Sequence, residues 1–123
     1  MNHKVKAFYI FFKYGQIQDE KLCVGIVYFI DDSKEPHIFI SKNMLKLARK
    51  INNHINHIGV FNLFKTSIGA LSKSNKYCTP AFLERQVHYA NGITKFEGPH
   101  TFSIEEDPEH FMQFYFNKYI DRK

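Results

Sequence analysis

Long apolar runs separated by short polar breaks dominate the first third of the chain. Residues 5–14 (VKAFYIFFKY) are rich in aromatic and β-branched side chains and apolar on both alternating sets, which predicts an interior strand covered on both faces. Residues 15–21 form a polar turn. Residues 22–30 (LCVGIVYFI) repeat the first character, so the simplest arrangement is an antiparallel hairpin. Gly25 interrupts this second run and marks a bulge or a close backbone approach. Residues 31–35 are a second turn, and residues 36–40 a short third strand that Pro36 places at a sheet edge.

The period then changes from two to 3.6. Ser41 can cap a helix in which Met44, Ala48, Ile51, Ile55 and Ile58 form one apolar stripe, with Gly59 as its stop. A second helical period runs through Phe61, Phe64, Ile68 and Leu71. Thr79-Pro80 opens a third short helix through Phe82, Leu83, Gln86 and Val87, ending at Asn91-Gly92. Residues 93–104 are extended and split by Gly98-Pro99. The last helix, residues 108–120, starts with Asp107 as cap, Pro108 at the first helical position and Glu109 near the positive end of the dipole. Its buried side is expected to carry Met112, Tyr115, Phe116 and Tyr119. The predicted order β-β-β-α-α-α-β-α describes an α/β protein of the α+β type. One domain over residues 1–123 would place its helices on a small, mainly antiparallel sheet.

Composition narrows the class without naming a function. A chain of 123 residues supports one domain with its own core and is too short for two ordinary ones. Its hydrophobic share of 44% argues against wholesale disorder. With 13 Phe, 7 Tyr and no Trp, the aromatic load implies either a tightly filled core or an apolar surface for a partner. The formal charge of +5 encourages contact with polyanions but identifies no ligand. Cys23 and Cys78 have neither metal-type nor redox-type spacing, so no disulfide framework, metal site or cofactor is expected. The start of the chain lacks a signal-peptide cleavage pattern, and Lys13 and Asp31 interrupt the apolar runs well short of a membrane span. The expectation is a soluble cytoplasmic protein.

Two blocks are informative together. One is Glu20-Lys21-Leu22-Cys23-Val24-Gly25-Ile26-Val27-Tyr28-Phe29. The other is Ile93-Thr94-Lys95-Phe96-Glu97-Gly98-Pro99, followed by Asp107-Pro108-Glu109 and the terminal helix. In this order the pair resembles the small bacterial domain-of-unknown-function family numbered 3037. The residues that carry the likeness are Glu20, Val24, Gly25, Asp107 and Pro108; Cys23 stands where the family usually has Asn, and Ile26 replaces a Val. The resemblance implies a non-enzymatic accessory or interaction subunit of a bacterial toxin–antitoxin or phage-defence type module, partnering a HipA-like kinase. That implication rests on analogy with the family alone.

Read from the residues themselves, the candidate binding surface is the polar side of the first helix. Lys42, Lys46, Arg49 and Lys50, with Asn53, lie opposite the apolar stripe, and His54 and His57 follow one turn on. Such a row can neutralise phosphates along a nucleic-acid backbone, and it is equally the ordinary solvated face of an amphipathic helix. No aromatic interleaves with it for base stacking. His54 and His57 have a spacing a metal could use, but a third ligand is missing nearby. Cys78, between polar residues and a helix start, is in a more reactive setting than Cys23 within its apolar strand, yet no base is tied to it. Turns and capping account for Asp19, Glu20, Asp31, Asp32, Glu35, Glu105, Glu106, Asp107 and Glu109. The first reading is therefore a protein-interaction subunit, and its alternative a nucleic-acid-binding accessory protein using the basic helix; a hydrolase or nuclease ranks last, since no convergent acid, base and nucleophile set is visible.

Overall fold

Strand β1 (His3–Lys13) pairs antiparallel with β2 (Lys21–Ile30) on one side and β4 (Thr94–Ile104) on the other, while β3 (His37–Ile40) pairs with β2. The computed structural model describes residues 2–13, 21–54, 65–66, 68–69, 78–88 and 94–121, with the backbone alone at 52–54. The sheet order is β3-β2-β1-β4. As the pattern predicts, β1 and β2 are the interior strands, and β3, preceded by Pro36, is an edge.

Burial on both faces explains why the two interior strands read as continuously apolar. Phe8, Ile10 and Phe12 of β1 join Val24, Val27 and Phe29 of β2 on one face, under helices α1 (Lys42–His54) and α2 (Pro80–Val87). Val5, Ala7, Ile26 and Tyr28 line the other face, under helix α3 (Pro108–Tyr115) and the π-helical turn Phe116–Ile120 that continues it. Each fully buried Phe contributes about 1.5–3 kcal/mol, so these strands carry much of the stability.

The helix starts are built as their residues predict, with one difference. Ser41 Oγ accepts from Met44 N at 3.0 Å, and Thr79 Oγ1 accepts from Phe82 N at 3.2 Å. Asp107 occupies the cap position before Pro108, but its side chain makes no capping bond; its carbonyl accepts from Phe111 N at 3.0 Å. Met44 and Ala48 of α1 are buried as expected. Of the second predicted helix, Ile68 is helical and buried, whereas Phe61, Phe64 and Leu71 lie outside the described residues. So do Ile55, Ile58, Gly59, Asn91 and Gly92.

β4 is the one strand that the predicted order places there, interrupted at Gly98-Pro99: the cis Gly98-Pro99 bond sits in a bulge opposite Phe8, and pairing resumes on both sides. One expectation is corrected. On the last helix, Tyr119 is 51% exposed and Ile120 is the buried residue. The cause is the wider turn: Asp121 N bonds to Phe116 O at 2.8 Å, a five-residue step that rotates the final side chains away from α-helical phase. Asp121 then clasps the start of α1, accepting from Ser41 Oγ at 2.6 Å and Asn43 Nδ2 at 3.2 Å. The carboxylate meets the positive end of that helix and ties the π turn to the start of α1.

Candidate functional site

α3 covers only part of its face of the sheet. Beyond Ala7 the face opens into a cleft of about 440 Å³, walled by strand residues Tyr9, Phe11, Cys23, Glu97 and His100 and by Tyr115, Tyr119 and Ile120 from α3 and its π turn. The volume falls within the range of small-ligand pockets, roughly 300–1,000 Å³.

Two bulges create this arrangement. In a regular strand, residues 97 and 100 would point to opposite faces. Ala7 pairs with His100 and Tyr9 with Glu97, so Phe8 alone opposes Gly98 and Pro99. The extra residue brings Glu97 and His100 to the same face. Gly98 makes this possible: its φ is 144°, and a Cβ there would meet Ala7 O at 2.7 Å. On the other flank Ile10 pairs with Gly25 and Phe11 with Cys23, which skips Val24 and puts Cys23 on the face of Ile26. A Cβ at Gly25 would lie 2.6 Å from Phe39 O, so the predicted bulge and the predicted close approach both occur there.

The chemistry of the cleft is aromatic with a few polar groups. The hydroxyls of Tyr9 and Tyr115 are hydrogen-bonded to each other, and the Tyr9 ring meets His100 edge-on at 4.8 Å. Burial, followed by the bond to Tyr115, pushes the Tyr9 hydroxyl well above its ordinary pKa, so it stays protonated. Tyr115 and Tyr119, four residues apart on the helix, have ring centroids 5.1 Å apart. Lys21 Nζ lies 2.7 Å from Glu97 Oε2, with side chains only 17% and 33% exposed, and 4.9 Å from the Phe11 ring centre. Partial burial screens the attraction of this pair less than that of a surface ion pair, and it adds a desolvation cost.

Cations share the cleft's face of the sheet. Phe12 and Phe96 point into the opposite core, so Lys13 and Lys95 belong to the cleft's face; Lys13 pairs with Lys21, and Lys95 with Phe11. Lys118 Nζ sits 5.7 Å from the Tyr119 ring centre.

The residues singled out from the sequence lie elsewhere. Lys42, Lys46, Arg49 and Lys50 are all exposed on α1, on the far side of the sheet. Asn53, His54 and His57 have no described side chains, and Asp19 and Glu20 lie outside the described residues. Val24 is core, and Gly25, Asp107 and Pro108 act in the fold as described above. Among the described residues no three His, Cys, Asp or Glu side chains approach closely enough to hold a metal. None of the described helices is long and apolar enough to cross a membrane. The two thiols exchange places with expectation: Cys78 is fully buried and pushed up to about 11 by that burial, while Cys23 is half-buried and lines the cleft. At the far end of α3, burial pushes the Tyr28 hydroxyl up to about 12, with Glu109 and Asp107 adding to the effect.

The cleft was hidden in the sequence because strict alternation misplaces Glu97, His100 and Cys23. The usable signal was the ending of β1, where Tyr9, Phe11 and Lys13 share one alternating set and turn polar at the third member. No protein-family model, curated protein or solved structure matches the chain, so function is read from the site itself.

Proposed function

We propose that the protein is a binding module that holds single-stranded nucleic acid on the open end of its sheet. One observation carries the reading: Lys13 and Lys95 share a face with Tyr9 and Phe11, and Tyr115 and Tyr119 flank them. Cations that meet phosphates, interleaved with rings that stack on bases, are what sequence-tolerant single-strand binding requires. The basic row on α1 offers charge without rings, so the site moves from the helix to the sheet. The net charge of +5 supports a polyanionic ligand.

Fluorescence anisotropy with a labelled single strand of about 12 nucleotides, a length typical of such sites, tests this. Lys13→Gln with Lys95→Gln is expected to weaken binding about tenfold or more. Losing two phosphate contacts should also lower the slope of log affinity against log salt by about 1.4, roughly 0.7 for each. Lys46→Gln with Lys50→Gln should leave affinity nearly unchanged; the opposite pattern returns the site to α1.

A second reading has its own surface. Phe114 on α3 is 55% exposed, and the resemblance points to a HipA-like kinase as the partner of an accessory subunit. Failure to bind any oligonucleotide, with co-purification of such a kinase abolished by Phe114→Asp, would replace the first reading with this one.

A further inference from the structure

Resting on the nucleic-acid reading, we infer that the cleft reads one base of the strand, and that Glu97 together with Lys21 makes guanine the preferred one. The cleft lies between the sheet and Tyr115 and Tyr119, and its volume gives ample room for a planar base splayed out of the strand. The rings give stacking that every base satisfies. Discrimination therefore has to come from the polar groups at the wall, and the ion pair is the most directional of these.

The order of donors and acceptors selects the base. The Glu97 carboxylate has about four lone-pair positions, of which Lys21 takes one through Oε2. Beside that acceptor stands an ammonium, a donor with more than one proton. On its pairing edge guanine carries two adjacent N–H donors, N1–H and the N2 amine, followed by the O6 acceptor. The carboxylate receives the two donors and Lys21 donates to O6, so every group on the edge is satisfied. Cytosine and adenine offer a single exocyclic amine beside ring acceptors. Uracil and thymine turn two carbonyls toward the wall, and at least one of them meets the carboxylate. The same wall carries His100, brought beside Glu97 by the bulge at Gly98, and the Tyr9–Tyr115 hydroxyl pair. Of two linked hydroxyls only one proton is used between them, which leaves the other for an acceptor on the ligand.

The test uses the full chain and uridine-tract oligonucleotides that differ at one central position, carrying G, A, C or U. Competition against a labelled strand gives the four relative affinities. The expected result is a preference for the G-containing strand of about tenfold over the U strand, roughly what one bidentate contact gives. Glu97→Gln, which swaps one acceptor for a donor, should reduce that preference to within about twofold. Lys21→Met leaves the carboxylate and removes the O6 donor, so the preference should fall only partway; it also serves if Glu97→Gln unfolds the chain. Four equal, salt-dependent affinities would overturn base reading and leave the platform intact. A preference that Glu97→Gln does not move would remove Glu97 from the role. No binding to any strand would overturn both readings.

Discussion

The two halves of β1 lie under the same helical layer and end with opposite characters. In the first half, Val5 and Ala7 are completely buried against Ile26, Tyr28, Ile104 and Met112. In the second half the corresponding positions are Tyr9, Phe11 and Lys13, which are half-buried and face a cleft. The boundary falls at Phe8 to Phe11, where both neighbouring strands carry an extra residue. One end of the sheet is therefore specialised for stability. The other gives up apolar cover for rings, cations and a partly buried ion pair. Bulges next to a site re-aim side chains without breaking the sheet, and here they separate the two tasks.

The comparison is sharpest in paired truncations, one at each end. Met112→Ala removes a fully buried side chain from the closed end and should cost about 2–5 kcal/mol of unfolding free energy, read from urea denaturation. Phe11→Ala, at the open end, should cost only about 1 kcal/mol of stability, since the ring is half exposed. Its loss should appear instead in oligonucleotide affinity, by about 1–3 kcal/mol for one stacked base. If Phe11→Ala destabilises as much as Met112→Ala and leaves binding unchanged, the open end is merely thin core.

Gly98→Ala addresses the boundary. At φ 144° an alanine is strained, and its Cβ would press on Ala7 O, so about 1–3 kcal/mol of stability should be lost. The more telling effect is on the cleft. Relaxing the bulge would turn Glu97 or His100 away from the shared face, and base preference should disappear before the fold does. An alanine variant with unchanged preference would show that the bulge is not what aligns them.

How far the residues alone reveal this molecule follows from range of interaction. Ser41, Thr79 and Pro108 announce helix starts because capping is decided within three or four residues, and the two all-apolar strands announce a central position because both faces are covered. Tyr119 departs from the helical pattern because a π turn shifts phase by one residue, and nothing in Phe116–Ile120 announces that shift before packing and the Asp121 clasp are known. The cleft was harder still. Glu97, His100 and Cys23 converge only after two bulges have moved them, and a bulge depends on the strand opposite, which lies far away in sequence. Lys42 to Lys50 are legible as a group because charge on one helix face is visible locally. Lys13, Lys21 and Lys95 come from three strands and become a group only in the sheet.

The smallest expected effect belongs to the closed end and is electrostatic. Asp31, at φ 53°, takes His3 Nδ1 at 3.0 Å and Lys4 N at 3.0 Å on its two carboxylate oxygens, fastening the first residues of β1 to the end of β2. The bond from His3, then that from the Lys4 amide, holds this carboxyl below its ordinary pKa. A group lowered on folding stabilises the fold above its unfolded pKa, and that contribution fades as pH falls through the folded value. Asp31→Asn isolates the charge, because asparagine also tolerates a positive φ. Wild type should hold a small advantage in urea midpoint above about pH 5, and the two curves should converge toward about pH 2. A gap that stays constant across this range would assign the effect to geometry and not to charge. Oligonucleotide affinity should be the same in both proteins at neutral pH, since the pair sits at the opposite end of β1 from the cleft; a loss of binding in Asp31→Asn would mean that the two ends are coupled through the strand and that their division of tasks is incomplete.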